Sequence, residues 1–489
     1  MSAPIISLNQ IDGKKLFGSE NADLEDAELF ESYSLDKTSF LDIYNPKRKI
    51  GLLCAYKGCG KSAVLRLISN KFKSPELAIV VKIAAQEYSP DIDSSDPADW
   101  MKGWRKIFLR QIASEIGASI KAAYSDDSTH LVEVAENYGF RNSNIVGYIT
   151  KRVSEKYQLS KTPLSLEEGI NKRIERYLSD KDIPVWLLID DVDLNFRNEP
   201  KIKAKIVGFL NAIKSLSTQI PDLRIRSTIR PNIWAILAEE YDSVNQLKEF
   251  RINLDWSDQD IKDLLQKRVS SFYDRTGVRF TPTTTDKGRG WIKCVFHDPM
   301  NWGKSERAPH VVLDTLSRNR PRWLIELCKL ALETAKANKH TLIGLDDIEV
   351  NLPEFGAARI VDTVAEYSSE CPSISPLINC FSGQEKTWTH EGLENFIKKS
   401  VLELLPLKIH GITGKPTAKN VIKFLYYIGF LSCRIDNDDG SYEHKTFIDN
   451  PTFLSTNFTT KTFHTWEIHP VFVEGLGMTH RSPVKRIKL

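Results

Sequence analysis

Lys49-Ile-Gly-Leu-Leu-Cys-Ala55 is a short apolar run. It leads into Tyr56-Lys57-Gly58-Cys59-Gly60-Lys61-Ser62 and then Ala63-Val-Leu-Arg-Leu-Ile68, where Val64, Leu65, Leu67 and Ile68 recur at helical spacing. A buried strand, a glycine-rich loop, Lys-Ser and a helix, in that order, form the setting in which a backbone wraps an anion. Gly58 and Gly60 allow the curl that turns successive N–H groups inward, and the following helix adds the positive end of its dipole. Tyr56, Lys57, Gly58, Cys59, Gly60, Lys61, Ser62 and Ala63 would then line a chain of phosphates. Lys61 would reach the terminal phosphates, and the Ser62 hydroxyl would face a metal ion, so the ligand this pattern suits is ATP with Mg2+. Such loops usually open on glycine, where Ala55 stands here; alanine serves if it keeps strand-like angles. The plain alternative, a chance glycine turn, is weakened by the strand before it and the helix after it.

A second motif points the same way. Val185-Trp-Leu-Leu-Ile-Asp190-Asp191 is an apolar strand ending in two carboxylates. Asp190 suits a magnesium ion, held through water, and Asp191 suits the polarisation of an attacking water. Many ATPases carry glutamate at that second position; aspartate is one methylene shorter, which predicts slow hydrolysis. Asp193 adds a further negative group. The plain reading, an aspartate pair capping a helix after a core strand, loses ground beside the phosphate loop. A third strand, Leu223-Arg-Ile-Arg-Ser-Thr-Ile-Arg230, ends where a residue sensing the γ-phosphate would stand; an exposed strand-end arginine is the alternative. Phe381-Ser-Gly-Gln-Glu-Lys386 looks like the signature loop of ABC-type ATPases, but it follows the carboxylate strand where theirs precedes it, and it reads as a loop.

The elements that must position these residues follow from periodicity. Strands near 49–55, 78–85, 185–190, 224–230 and 250–254 alternate with helical stretches, which implies an α/β fold with a parallel sheet covered on both faces. The stretch 86–182 is too long for a bare loop and reads as a helical insertion. Its Trp100 and Trp104 share one helical face, core packing being the plain use and partner contact the sharper one. The expected division is a linker over 1–47, an ATPase core over 48–255, a helical lid over 256–344, and an α+β winged-helix-like domain over 345–489. In the lid, Ser317-Arg-Asn-Arg-Pro-Arg-Trp-Leu-Ile-Glu-Leu-Cys-Lys-Leu-Ala331 opens an apolar helix on a basic turn. An arginine at a lid-helix start can reach a bound nucleotide, which makes Arg322, and after it Arg320, second-sensor candidates; the plain alternative is a solvated basic cap, which the helix dipole opposes at that end. Beyond 345, helices near 389–404 and 416–429 precede strands at 430–435, 441–447 and 463–468, with Asn437-Asp-Asp-Gly440 as a tight turn. A DNA-reading helix at 416–429 would carry only Lys419 and Lys423, which ranks protein contact above nucleic acid there. The basic tail His480 to Leu489 reads as solvated, with nucleic-acid contact as its alternative.

Bulk composition narrows the class. The 489 residues suggest about two to four domains. Apolar residues at 41% and charged residues at 27% are those of a globular chain, and a net charge of +3 marks no global affinity for nucleic acid or membrane. Apolar runs fall well short of a membrane span, and Met1 to Gln10 shows no secretion signal. Seven scattered cysteines form no Cys-x-x-Cys pair and no zinc spacing, which fits a reducing cytoplasm.

Leu16-Phe-Gly-Ser-Glu-Asn-Ala-Asp23, Tyr56 to Ser62, Leu187 to Asp191, Thr228-Ile-Arg230-Pro-Asn-Ile-Trp234 and Asn319-Arg-Pro-Arg-Trp323 stand in the order found in AAA+/STAND-type ATPases. The chain resembles a bacterial group of P-loop ATPases, related to origin-recognition ATPases, that end in a winged-helix-like domain. That resemblance implies a sheet order of 5-1-4-3-2, adenine held near Leu16 to Gly18, Arg230 as first sensor and Arg322 as second. It also implies an ATP-driven switch that forms homo-oligomers or controls an effector protein, several such relatives acting in bacterial antiviral defence. The alternative is an ATP-dependent DNA-binding regulator or loader. Asp191 departs from the family's glutamate, and no arginine finger can be assigned.

Overall fold

Five apolar segments of the sequence become one parallel sheet in the computed structural model, which describes residues 6–35, 37, 40–74, 77–120, 126–137, 166–181, 183–277, 290–303, 305–436, 442–447 and 464–479. The expected turn at 437–440 and the basic tail at 480–489 lie outside the described residues, as does 138–165 of the insertion. The chain divides into two compact units. One comprises 22–24 and 36–255, and the other comprises 1–21, 25–35 and 256–489.

The phosphate-loop unit is built on β1 (Ile50–Cys54), β2 (Ile79–Ala84), β3 (Val185–Asp190), β4 (Leu223–Ile229) and β5 (Arg251–Asn253). Their order is β2-β3-β4-β1-β5 and every pairing is parallel, the 5-1-4-3-2 arrangement implied by the resemblance. All five residues of β1 and the first five of β3 are buried, because helices cover both sheet faces and leave no polar side for alternation. At the edge, β2 alternates between buried Ile79, Val81 and Ile83 and more exposed neighbours, with Lys82 outward, a charge that discourages pairing with a foreign strand.

The covering helices are α1 (Lys61–Lys71), α2 (Pro97–Ser119), α3 (Asp126–Asn137), α4 (Leu166–Lys181), α5 (Pro200–Gln219) and α6 (Pro231–Glu240). Asp96 caps α2 by accepting from the Ala98 amide, and Pro97 supplies a pre-set first turn. Trp104 and Phe108 on α2 stack with centroids 5.5 Å apart, and Phe209 of α5 meets both edge-on. Trp100 and Trp104 are both buried, so they pack the core. The helices approach closely at glycines: a Cβ on Gly117 of α2 would stand 1.9 Å from the Leu131 carbonyl oxygen of α3.

Within β4, Arg226 is fully buried, with no carboxylate beside it among the described residues. Its guanidinium donates to the carbonyl oxygens of Ile43 at 2.7 Å, Asn45 at 2.9 Å, Arg48 at 3.0 Å and Ile225 at 2.9 Å, and it lies 4.7 Å from the Trp186 ring. Burial, with help from the charges of Arg48 and Arg224, pulls its pKa down to about 9. This side chain staples the segment before β1 to the middle of the sheet.

The second unit joins helices and a small sheet. Its main helices are α7 (Asp258–Thr276), α8 (Pro309–Ser317), α9 (Pro321–Ala337), α10 (Leu352–Tyr367) and α11 (Ala418–Tyr427). Ser257 and Asp260 form a reciprocal capping box at the start of α7, and Thr417 and Asn420 do the same for α11. A two-stranded ribbon pairs β6 (Met300–Trp302) with β7 (Ser305–Arg307). A four-stranded antiparallel sheet runs β10-β9-β11-β8, from β8 (Thr387–Thr389), β9 (Leu431–Asp436), β10 (Tyr442–Lys445) and β11 (His464–Ile468). Among the described residues no helix is long and apolar enough to cross a membrane.

Candidate functional site

The phosphate loop sits where β1 ends. The Ala55 amide still donates to the Ile229 carbonyl at 3.3 Å, so the residue replacing the usual glycine continues the strand, and it does not take a left-handed angle. Gly58 and Gly60 do, with φ of 86° and 87°, angles that a side chain would make costly. Gly60 is the N-cap of α1, and no side chain caps that helix. Its first-turn N–H groups are therefore available to an anion, with the helix dipole behind them. The Lys61 ammonium donates to the carbonyl oxygens of Ala55 at 3.0 Å and Tyr56 at 3.2 Å, which folds it over the loop. These features fit a phosphate chain.

Asp190 closes β3 one strand away from β4. Its Oδ1 accepts from the Thr228 hydroxyl at 2.5 Å, and the Asp191 amide donates to that same hydroxyl at 3.2 Å. Asp191 has φ of 59°, a left-handed angle that aspartate tolerates better than most residues. Burial first, then the charge of Asp190, pushes its carboxyl up to about 6. Lys61 pulls the other way, and Asp193 and Asp23 add smaller upward effects. Asp23 belongs to the turn Ala22–Leu24, which the Arg66 side chain of α1 holds by donating to the Ala22 carbonyl.

Arg230, read from the sequence as a sensor, is engaged with Asp193. Its amide donates to Asp193 Oδ2 at 2.7 Å, its Nε donates to the same oxygen at 3.2 Å, and Nη2 donates to the Asp193 carbonyl. The Asp193 side chain is 3% exposed and that of Arg230 15%. Two roles escaped the sequence reading. Thr228 carried no assigned part, although it stands two residues before Arg230 and so on the same side of the strand. Asp193 counted only as one more negative charge.

In the second unit, Arg322 Nε donates to the Glu20 carbonyl at 3.2 Å, and Lys329 pairs with the Glu20 carboxylate at 3.1 Å. Arg320 is buried: it pairs with Glu366 at 2.9 Å and lies 4.4 Å from the Trp323 ring. The turn after Leu16 is tightly held. Arg268 donates to the Phe17 carbonyl and stacks on Tyr33 at 4.0 Å, while the Tyr33 hydroxyl and the Ser19 amide both donate to Glu25. On the four-stranded sheet, Arg434 and His444 meet Glu467 at 3.3 and 2.8 Å, and Lys445 pairs with Glu443. Lys419 and Lys423 of α11 also have partners. Arg320, Arg322, Lys329, Arg434 and His444 thus answer acidic or polar neighbours within the unit.

The chain matches no family model. Among curated proteins it is similar to the putative transposon gamma-delta 80.3 kDa protein of Escherichia coli (strain K12), 22% identical over 515 residues, which cover 98% of this chain and 69% of that protein. Among solved structures it is similar to Cdc6p of Pyrobaculum aerophilum, at 12% identity and a TM-score of 0.35 over 92% of this chain and 96% of that one. The Aeropyrum pernix ORC2 protein with ADPNP and ADP gives 9% and 0.36 over 88% and 87%. The Aeropyrum pernix ORC1 protein in complex with DNA gives 13% and 0.33 over 89% and 92%. Likeness at these scores carries no argument about this chain. Its own strand order and loop geometry give the conclusion: the core is a P-loop NTPase fold, a five-stranded parallel sheet in the order 5-1-4-3-2 with the phosphate loop at the end of its β1 strand.

Proposed function

We propose that this chain binds ATP with magnesium at Lys61, Ser62 and Asp190, hydrolyses it slowly through Asp191, and uses the bound state as a switch over its own assembly or a partner protein. One observation carries the reading: a helix N-terminus with no side-chain cap behind two left-handed glycines, with a lysine folded over the same loop. The amides around Cys59 and the first turn of α1 bind and orient the phosphates, and Lys61 exchanges its two carbonyl acceptors for phosphate oxygens. Among the described residues no group of three or more His, Cys, Asp or Glu side chains could hold a metal ion. Magnesium would be held by the Ser62 hydroxyl and Asp190, with phosphate oxygens and water completing its shell. When bound there it neutralises charge on the β- and γ-phosphates. Asp191 orients the attacking water and takes its proton. Its short side chain reaches less far than a glutamate would, which makes for a long-lived bound state, the property a switch needs.

Calorimetry with magnesium and ATP tests the site. Wild type gives saturable heat and Lys61→Ala gives none; equal affinity in the two proteins would end the assignment. The switch is tested by mass in solution with and without magnesium ATP, where a change of assembly state or shape is expected and an unchanged particle counts against it.

A further inference from the structure

The resemblance implies that Arg230 meets the γ-phosphate, but its hydrogen bonds lead elsewhere. We infer that Arg230 is a positioning residue that acts through Asp193, clamping the loop that carries Asp190 and Asp191. The inference rests on the ATP reading of that loop and assigns to it a regulating contact. Three donors of one residue (amide, Nε and Nη2) converge on Asp193, two of them on a single carboxylate oxygen. The loop between has its own bonds: the Leu194 amide donates to the Asp191 carbonyl at 3.3 Å and the Phe196 amide to the Asp193 carbonyl at 3.2 Å. Inside this frame Asp191 keeps its left-handed backbone. Aspartate visits such an angle more readily than most residues, and the contacts around the loop keep it there. The Arg230–Asp193 pair supplies that constraint by tying the loop after β3 to the end of β4.

Burial decides between clamp and sensor. With its side chain 3% exposed, Asp193 would lose its cation if Arg230 swung to a phosphate, and breaking one side of a buried pair is far costlier than an exposed exchange. Meanwhile β4 turns a different polar group to the magnesium carboxylate, the Thr228 hydroxyl at 2.5 Å. Arg230 and Asp193 thus act on Asp190 through the loop that follows it, while Thr228 and the Asp191 amide bond that carboxylate directly.

The test compares wild type, Arg230→Ala, Asp193→Asn and the double variant by calorimetry with ATP and ADP, each titrated with magnesium, and with ATP in EDTA. The clamp predicts that both single variants raise the magnesium needed for half-maximal nucleotide binding by up to about 10-fold, the low end of what direct partners of a metal ligand contribute. ATP and ADP should weaken alike, metal-free ATP should be unaffected, and the double variant should be no worse than Arg230→Ala. A loss in Arg230→Ala confined to ATP, with the magnesium requirement unmoved, would overturn it, because the guanidinium would then be touching the γ-phosphate. Additive losses in the double variant would overturn it too. If Arg230→Ala does not fold, Asp193→Asn, which keeps an acceptor oxygen, carries the same magnesium prediction. A wild type that binds no nucleotide sinks the ATP reading alone; the clamp is then judged by the thermal midpoints of the four proteins, non-additive if it holds and additive if it does not.

Discussion

The Thr228 hydroxyl sits between two consecutive residues of the neighbouring strand end, donating to Asp190 Oδ1 at 2.5 Å and accepting from the Asp191 amide at 3.2 Å. One small side chain therefore fixes both the proposed metal carboxylate and the backbone of the proposed base.

Thr228→Val keeps the shape and removes that hydroxyl. The Asp190 oxygen and the Asp191 amide each lose one partner but keep one another, the amide also donating to Asp190 Oδ1 at 2.9 Å, so the stability cost is that of an ordinary hydrogen bond, about 0.5–1.5 kcal/mol. Turnover should fall by roughly 10-fold or more, with a higher magnesium requirement. Thr228→Ser should recover most of both. Steady-state kinetics across a magnesium series, beside thermal melts, checks this; a valine variant with unchanged magnesium dependence would remove Thr228 from the site.

Asp191→Asn separates binding from chemistry. The amide preserves size and tolerates the left-handed backbone at φ of 59°, as asparagine commonly does. Magnesium ATP should bind at least as tightly as in wild type, while phosphate release should stop. Turnover at the wild-type rate would show that another group handles the water.

Asp314 in α8 gives a pH signature unrelated to nucleotide. Burial first, then Asp258, pushes its carboxyl up to about 8, so the folded chain keeps a proton there that the unfolded chain gives up near 4. The folded pKa is the raised one. Its stabilising contribution is therefore complete below about pH 4 and is lost as pH rises through about 8. Asp314→Asn cannot titrate, so its melting temperature should fall less than that of wild type between about pH 5 and about pH 9. Parallel melting profiles would refute the assignment.

Gly117→Ala should destabilise despite alanine's better helix propensity. The new Cβ would lie 1.9 Å from a backbone oxygen of α3, which cannot step aside as a flexible side chain could. Overpacking of this kind costs about 1–3 kcal/mol and should appear as a lower urea midpoint. Gly277→Ala meets no atom within 4 Å, but its φ of 74° imposes a smaller, backbone-only cost.

How much of this was legible in the sequence varied with the range of the forces involved. The phosphate loop, β1 and β3 could be read because their signal is local: an unbroken apolar run and the residues that end it. The strand order came from the resemblance, and the sheet agrees. The three-residue strands β6, β7 and β8 gave no period to count. In Leu223-Arg-Ile-Arg-Ser-Thr-Ile229, nothing local shows where the Arg226 side chain goes; it is fully buried because its acceptors are carbonyls near residue 45, far away in sequence. Arg320, a candidate second sensor by its place at the helix start, is instead buried against the carboxylate of Glu366. The Arg230–Asp193 contact was hidden for the same reason: periodicity says which face a residue occupies, not which distant group it meets.

The strand order also sets a schedule for biosynthesis. β1 emerges from the ribosome early, but both of its neighbours in the sheet, β4 and β5, are made later, the second about two hundred residues after it. Until then the strand that leads into the glycine-rich loop has no neighbour on either side, so the loop proposed to hold phosphate is not yet anchored. Were the proposed nucleotide to assist folding, it could do so only after β5 has been made.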